Sequence, residues 1–211
     1  MSTTQSDRLH RFLLFVAALL ILGVAFTLFP DGATTLSAQS QTEAARRPMT
    51  FLDMQKMRQI GATAPSPDGR WMLYTVTTPD WKDARRQSDI YLVSLQQGVS
   101  STRQMTFTTD KNETEPRWAR GWGFFVFASN RDAPTTAANQ NQLYLMRPDG
   151  GEARRITDAK EGVSTFALSQ DGRWLAYESD SSGRFEIYVR PFPNAAAGQW
   201  QVSTAGGTKA G

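Results

Sequence analysis

The sequence predicts an all-β chain: a partial β-propeller of about three four-stranded blades, preceded by an N-terminal hydrophobic helix. Three observations predict it. A window reading SPDGRWMLY at Ser66–Tyr74 returns as ARGWGFFVF at Ala119–Phe127 and as SQDGRWLAY at Ser169–Tyr177, at offsets of 53 and 50 residues. Each window is followed by a second echo, DIYLVSL at Asp89, QLYLMRP at Gln142 or EIYVRPF at Glu186, and then by a third, RQMT at Arg103, RRIT at Arg154 or WQVS at Trp200. The last observation is an unbroken apolar run from Phe12 to Phe29, set behind Arg8 and Arg11 and outside the repeat.

Residues 1–38 read as a signal peptide or a signal anchor. The run counts 18 residues, on the border between signal cores of about 7 to 15 and spanning helices of about 17 to 25. Small residues follow the break at Pro30-Asp31-Gly32, and Leu36-Ser37-Ala38 offers a cleavage site, so composition favours a cleaved signal over an uncleaved anchor. Either way the remainder is expected to be periplasmic or secreted, held to the inner membrane by residues 12–29 if they are retained. Residues 39–48 are small and polar, and read as a flexible spacer.

The repeat occupies residues 49–211. Thr50 and Asp53 suit a capping-box start to a short helix. Blades are then expected at about 60–110, 111–160 and 161–204. Within each, the apolar segments are aromatic and β-branched, as in Trp71, Leu73 and Tyr74 or Ile187, Tyr188 and Val189, which is strand chemistry. Asp68-Gly69 and Asp171-Gly172 mark tight turns, whereas the middle copy carries Gly121-Trp122 and is expected to turn differently. Each unit therefore holds a first strand, the turn, a second strand, a loop, a third strand, a loop and an edge strand. Four strands in about 40 to 50 residues fit a propeller blade, which buries its apolar faces only by stacking on its neighbours. Trp71, Phe124 and Trp174 fall at equivalent places and are expected to pack between blades.

Composition excludes several functions. There is no cysteine, and the single histidine, His10, lies within the N-terminal segment. Thiolate catalysis and the usual zinc ligands are thereby removed, as is the ordinary base for a serine nucleophile. The net charge of +3 comes from 23 basic and 20 acidic residues scattered along the chain, so no nucleic-acid partner is expected. The recurring carboxylates are Asp68, Asp171, Asp89 and Glu186, read as turn caps and exposed strand ends. Arg85-Arg86 and Arg154-Arg155 are read as solvated loop pairs. Asn112-Glu113-Thr114 fits a glycosylation sequon, and Asn139–Gln142 reads as a polar loop. Trp81 and Trp122 lie outside the strand pattern and are the aromatics most suited to exposed binding. No catalytic, cofactor-binding or metal residue is assigned.

The SPDGRW…Y window, followed by DIYLV and then RxxT, resembles the WD40-like repeat of TolB-type propellers from Pro65 to about Thr204. The stretch MTFLDMQKMRQIGATAPSPDGRWMLYTVTTPDWKDARRQSDIYLVSL is similar to the start of the propeller in secreted bacterial peptidases of the prolyl oligopeptidase family. That resemblance implies a propeller over a C-terminal α/β-hydrolase domain, with peptide cleavage by a Ser-Asp-His triad. No G-x-S-x-G occurs in the 211 residues, so the triad has no counterpart among them. The last blade, IYVRPFPNAAAGQWQVSTAGGTKA, is also similar to propellers of bacterial membrane-bound serine/threonine kinases, but too few residues precede Phe12 to hold a kinase there.

A closed ring needs about four to eight blades. The expectation is thus the front portion of a longer peptidase, whose partners are further blades and a hydrolase domain. The alternatives are a TolB-like propeller that binds an envelope protein, and a truncated fragment without function.

Overall fold

The computed structural model describes residues 47–121, 123–133 and 140–208. The signal or anchor segment, most of the spacer, Trp122 and Asn139 lie outside the described residues. Among the described residues, no helix is long and apolar enough to cross a membrane.

A short helix, α1 (Phe51–Gln55), opens the unit. Its capping box forms as expected: the Thr50 hydroxyl accepts from the Asp53 amide at 3.3 Å, and the Asp53 carboxylate accepts from the Thr50 amide at 2.8 Å. Three four-stranded antiparallel sheets follow, each a meander in chain order. The first blade comprises β1 (Gln59–Pro65), β2 (Trp71–Asp80), β3 (Arg85–Ser94) and β4 (Gly98–Gln104). The second comprises β5 (Glu113–Ala119), β6 (Phe124–Ser129), β7 (Gln142–Arg147) and β8 (Gly150–Arg155). The third comprises β9 (Thr165–Leu168), β10 (Trp174–Ser179), β11 (Glu186–Pro191) and a two-residue edge, β12 (Trp200–Gln201). Tyr91, Tyr144 and Tyr188 thus lie in three separate sheets, as stacked blades require.

The turns explain the first echo. Ser66 accepts from the Trp71 amide at 2.9 Å and donates to Asp68, which accepts from the Arg70 amide at 3.1 Å. Ser169, Asp171, Arg173 and Trp174 repeat this arrangement at 2.6 to 3.1 Å. Gly69 and Gly172 sit at φ 69° and 68°, where a side chain is strained. The middle blade has Ala119 at the serine position, with no hydroxyl to offer, and glycines at φ 77° and 62°, Gly121 and Gly123.

Alternation along the strands gives every blade two apolar faces. Leu73, Ile90, Leu92 and Met105 of the first blade meet Phe125, Phe127, Tyr144 and Met146 of the second. Val126, Leu143, Leu145 and Ile156, on the other face of the second blade, meet Leu175, Tyr177, Tyr188 and Phe192 of the third. Each blade also stacks an aromatic pair on its leading face: Tyr74–Tyr91 at 5.7 Å, Phe127–Tyr144 at 5.7 Å and Tyr177–Tyr188 at 5.5 Å between centroids. The outermost faces have no neighbour among the described residues. Met72, Tyr74, Tyr91 and Val93 on the first blade, and Ala176, Ile187 and Val189 on the third, stay half-exposed.

Candidate functional site

The recurring carboxylates divide into two kinds. Asp68 and Asp171 lie in the exposed turns, as expected. The Ser66 hydroxyl, followed by the Arg70 amide, lowers Asp68 to about 2; Ser169 and the Arg173 amide lower Asp171 in the same way. Asp89 and Glu186 correct the sequence reading, because they are buried rather than exposed, at 7% and 0% accessibility. Gln142 takes the equivalent place in the second blade.

The third echo supplies the reason. The fourth residue of each RxxT copy folds its hydroxyl onto the third strand: Thr106 accepts from Ile90, Thr157 from Leu143 and Ser203 from Ile187, at 2.8 to 2.9 Å. Thr157 donates in turn to Gln142 at 2.8 Å, and Ser203 donates to Glu186. One residue earlier, the amides of Met105, Ile156 and Val202 donate to the carbonyls of Ile90, Leu143 and Ile187, each at 2.8 Å. In the second and third blades the polar side chain that opens strand three and the hydroxyl that follows strand four form one clip, and buried polar groups require such partners. In the first blade Asp89 stands within β3 and accepts from the Gln87 side chain instead.

Local charge sets the state of these carboxylates. Burial, reinforced by nearby Glu113, pushes Asp89 up, while the Gln87 amide offsets part of that rise. Hydrogen bonds from Ser203 and the Gly206 amide, together with Arg184, hold Glu186 low. Glu113 is fully buried at the start of β5, where Thr108 donates to it at 2.6 Å and Ser129 and Arg131 at 3.2 Å. Sequence reasoning passed over it as part of a sequon. Asn112 accepts from the Ser88 amide at 2.9 Å, a link between the first two blades. The Glu113 and Asn112 contacts join the first blade to the second, whereas those of Gln142 and Glu186 lie within their own blades.

Other expected surface groups are also more engaged than their sequence suggests. Arg85-Arg86 and Arg154-Arg155 lie in strands β3 and β8, not in loops. Arg85 gathers Asp80, Asp83 and Asp110, and Arg155 reaches Asp158 at 2.6 Å. Trp81 stands 56% exposed beyond the β2–β3 hairpin. Trp71 and Phe124 pack against the two cores, but Trp174 is 44% exposed and meets Trp200 edge-on at 6.0 Å.

A cleft of about 540 Å³ lies where the first strands of all three blades converge. Thr63 comes from β1, Glu115, Arg117 and Trp118 from β5, and Thr165 from β9; Arg120 follows β5. Arg117 lies 4.8 Å over the Phe166 ring and 3.7 Å from the Glu115 carboxylate. The Trp118 indole donates to the Ala64 carbonyl at 2.9 Å, tying β5 to β1. Among the described residues, no group of three or more acidic, histidine or cysteine side chains is placed to hold a metal.

Three meander sheets stacked face to face, with their first strands gathered on a concave cleft, define a partial β-propeller. Comparison with known proteins then narrows the kinship. Dipeptidyl-peptidase 5 of Porphyromonas endodontalis is 25% identical over 165 residues, which cover 78% of this chain and 22% of that protein. The uncharacterized peptidase YuxL of Bacillus subtilis is 32% identical over 116 residues, or 54% of this chain and 16% of that protein. Among solved structures, the β-propeller domain of the Trilobed protease from Pyrococcus furiosus superposes with a TM-score of 0.51 at 13% identity, covering 70% of this chain and 44% of that one. No protein-family model matches. The chain spans about a fifth of the curated relatives it matches. Its repeats resemble those of TolB-type propellers, and the chain resembles the N-terminal propeller region of prolyl-oligopeptidase-family serine peptidases.

Proposed function

We propose that this chain is the N-terminal propeller portion of an exported serine peptidase of the prolyl oligopeptidase type. In this role it scaffolds and screens substrates, and the residues that cut peptides lie elsewhere in the protein. The observation that carries the reading is the match to two peptidases, over 165 residues of one and 116 of the other, or 22% and 16% of their lengths. Two open apolar blade faces agree with it, since further blades of the same kind would cover them. Chemistry agrees as well: the 211 residues contain no G-x-S-x-G, and their one histidine is His10. Export rests on the apolar run Phe12–Phe29 behind two arginines.

Reading the coding sequence past Gly211 tests this. Further SxDGRW-type blades followed by a G-x-S-x-G segment with downstream Asp and His are expected; a ring that closes and ends without them contradicts the proposal.

A further inference from the structure

We propose that α1 and the tip of the β2–β3 hairpin form one docking surface for an anionic phospholipid bilayer. The inference rests on the reading of Phe12–Phe29 as an export signal or anchor, and it adds a second point of attachment on the first blade.

The helix buries nothing. It carries Phe51, Leu52 and Met54, yet none of its residues is buried and neither apolar core includes them. Helices this short draw their stability from packing more than from propensity, so α1 presents a face that lacks its covering surface. Six of the fourteen large hydrophobic side chains exposed among the described residues gather here: Met49, Phe51, Leu52, Met54, Met57 and Trp81, each between 54% and 67% accessible. They meet in space as well as in sequence. A cleft of about 490 Å³ has Phe51, Met54 and Met57 on one side and Pro79, Trp81 and Ala84 on the other. Apolar side chains gathered in this way mark an interaction site, whereas single exposed ones do not.

The rim of the patch selects the occupant. A second cleft, of about 520 Å³, shares Pro79, Asp80 and Trp81 with the first and adds Lys56, Arg58 and Lys82. All three cations are exposed, and none pairs with a carboxylate among the described residues. The nearby acids are engaged: Arg85 holds Asp80 and Asp83, and Asp53 serves the capping box. An indole, a phenyl ring and thioethers rimmed by cations suit the boundary between headgroups and acyl chains, where rings enter and Lys and Arg stems reach the phosphates. The chain itself favours the same occupant. Residues 30–48, 19 in number, separate the apolar run from Met49 and span at most about 70 Å when extended. Any bilayer that the run enters is therefore within reach of the patch, at a high effective concentration.

Tryptophan fluorescence of the full chain reconstituted in vesicles tests the assignment, with brominated acyl chains as the quencher. The Trp81 contribution is the difference between the chain and its Trp81→Phe variant. In vesicles of phosphatidylcholine mixed with phosphatidylglycerol, Trp81 emission should be quenched. In phosphatidylcholine alone, or at high salt, the quenching should fall although the chain still floats with the vesicles. Lys56→Ala and Lys82→Ala should each lower the ratio of docked to undocked chain by about fivefold. Trp81 emission that is indifferent to bromine in the mixed vesicles overturns the proposal, whether the ring faces water or is covered by a second copy of the chain. Equal quenching in both lipids also overturns it, because the cations then play no part. Flotation without quenching leaves the export reading standing, failure to float removes both, and neither result touches the peptidase reading, which the downstream coding sequence decides.

Discussion

At the scale of single residues, the hydroxyl clip is the feature that recurs most faithfully. Thr157 is 2% exposed and both accepts from Leu143 and donates to Gln142. Thr157→Val keeps its shape but leaves the buried Leu143 amide without its side-chain acceptor and removes one of two donors to Gln142, and chemical denaturation should report a loss of about 1 to 3 kcal/mol. Arg154→Ala, on an exposed position of the preceding strand β8, should stay within about 0.5 kcal/mol. The pH dependence follows from the signs of the shifts. Asp89 is raised in the folded state, so its favourable contribution is present below the ordinary aspartate pKa and is lost as pH rises through the folded value. Asp89→Asn should therefore raise the melting temperature at neutral pH, with the gain shrinking as the solution is acidified. Asp68 is lowered to about 2 from 3.8, so its contribution holds above the ordinary value and fades as pH falls between those two limits. Asp68 and Asp171 were legible from sequence because a turn is local and Asp-Gly announces it. The burial of Asp89 and Glu186 was not, because the group that satisfies Glu186 is a serine 17 positions away, past the edge strand β12.

At the scale of elements, equivalent positions experience different surroundings, and their energetics should differ accordingly. Leu143 and Ile187 occupy the same place in the second and third blades, yet Leu143 is fully buried between blades while Ile187 is half-exposed. Leu143→Ala should cost about 2 to 5 kcal/mol in denaturant unfolding, and Ile187→Ala clearly less. Equal costs would mean that the blades do not cover one another as described. The strand order was legible throughout, because aromatic and β-branched runs separated by turn residues repeat at nearly constant spacing. Two departures were not. The β2–β3 hairpin continues through Asp80 and Arg85, although Thr78-Pro79-Asp80-Trp81 shows no apolar alternation, because it is held by direct strand pairing and by Arg85 among three aspartates. The register shift at Glu115 was equally hidden, since Thr-Glu-Pro carries no glycine to announce left-handed backbone.

At the scale of the whole molecule, the second blade is covered on both faces and the outer blades on one each, so stability should be graded along the stack instead of shared evenly. The candidate cleft was legible only as a consequence of the architecture: Glu115, Arg117 and Thr165 have no sequence motif in common and meet because first strands gather on one side. Native-state hydrogen exchange, followed amide by amide, tests mutual coverage most directly. The account predicts slowest exchange in β6 and β7, around Phe127 and Tyr144, with faster exchange at the corresponding amides near Tyr74, Tyr91 and Ile187. Protection that is uniform across the three sheets, or weakest in the middle one, would contradict it.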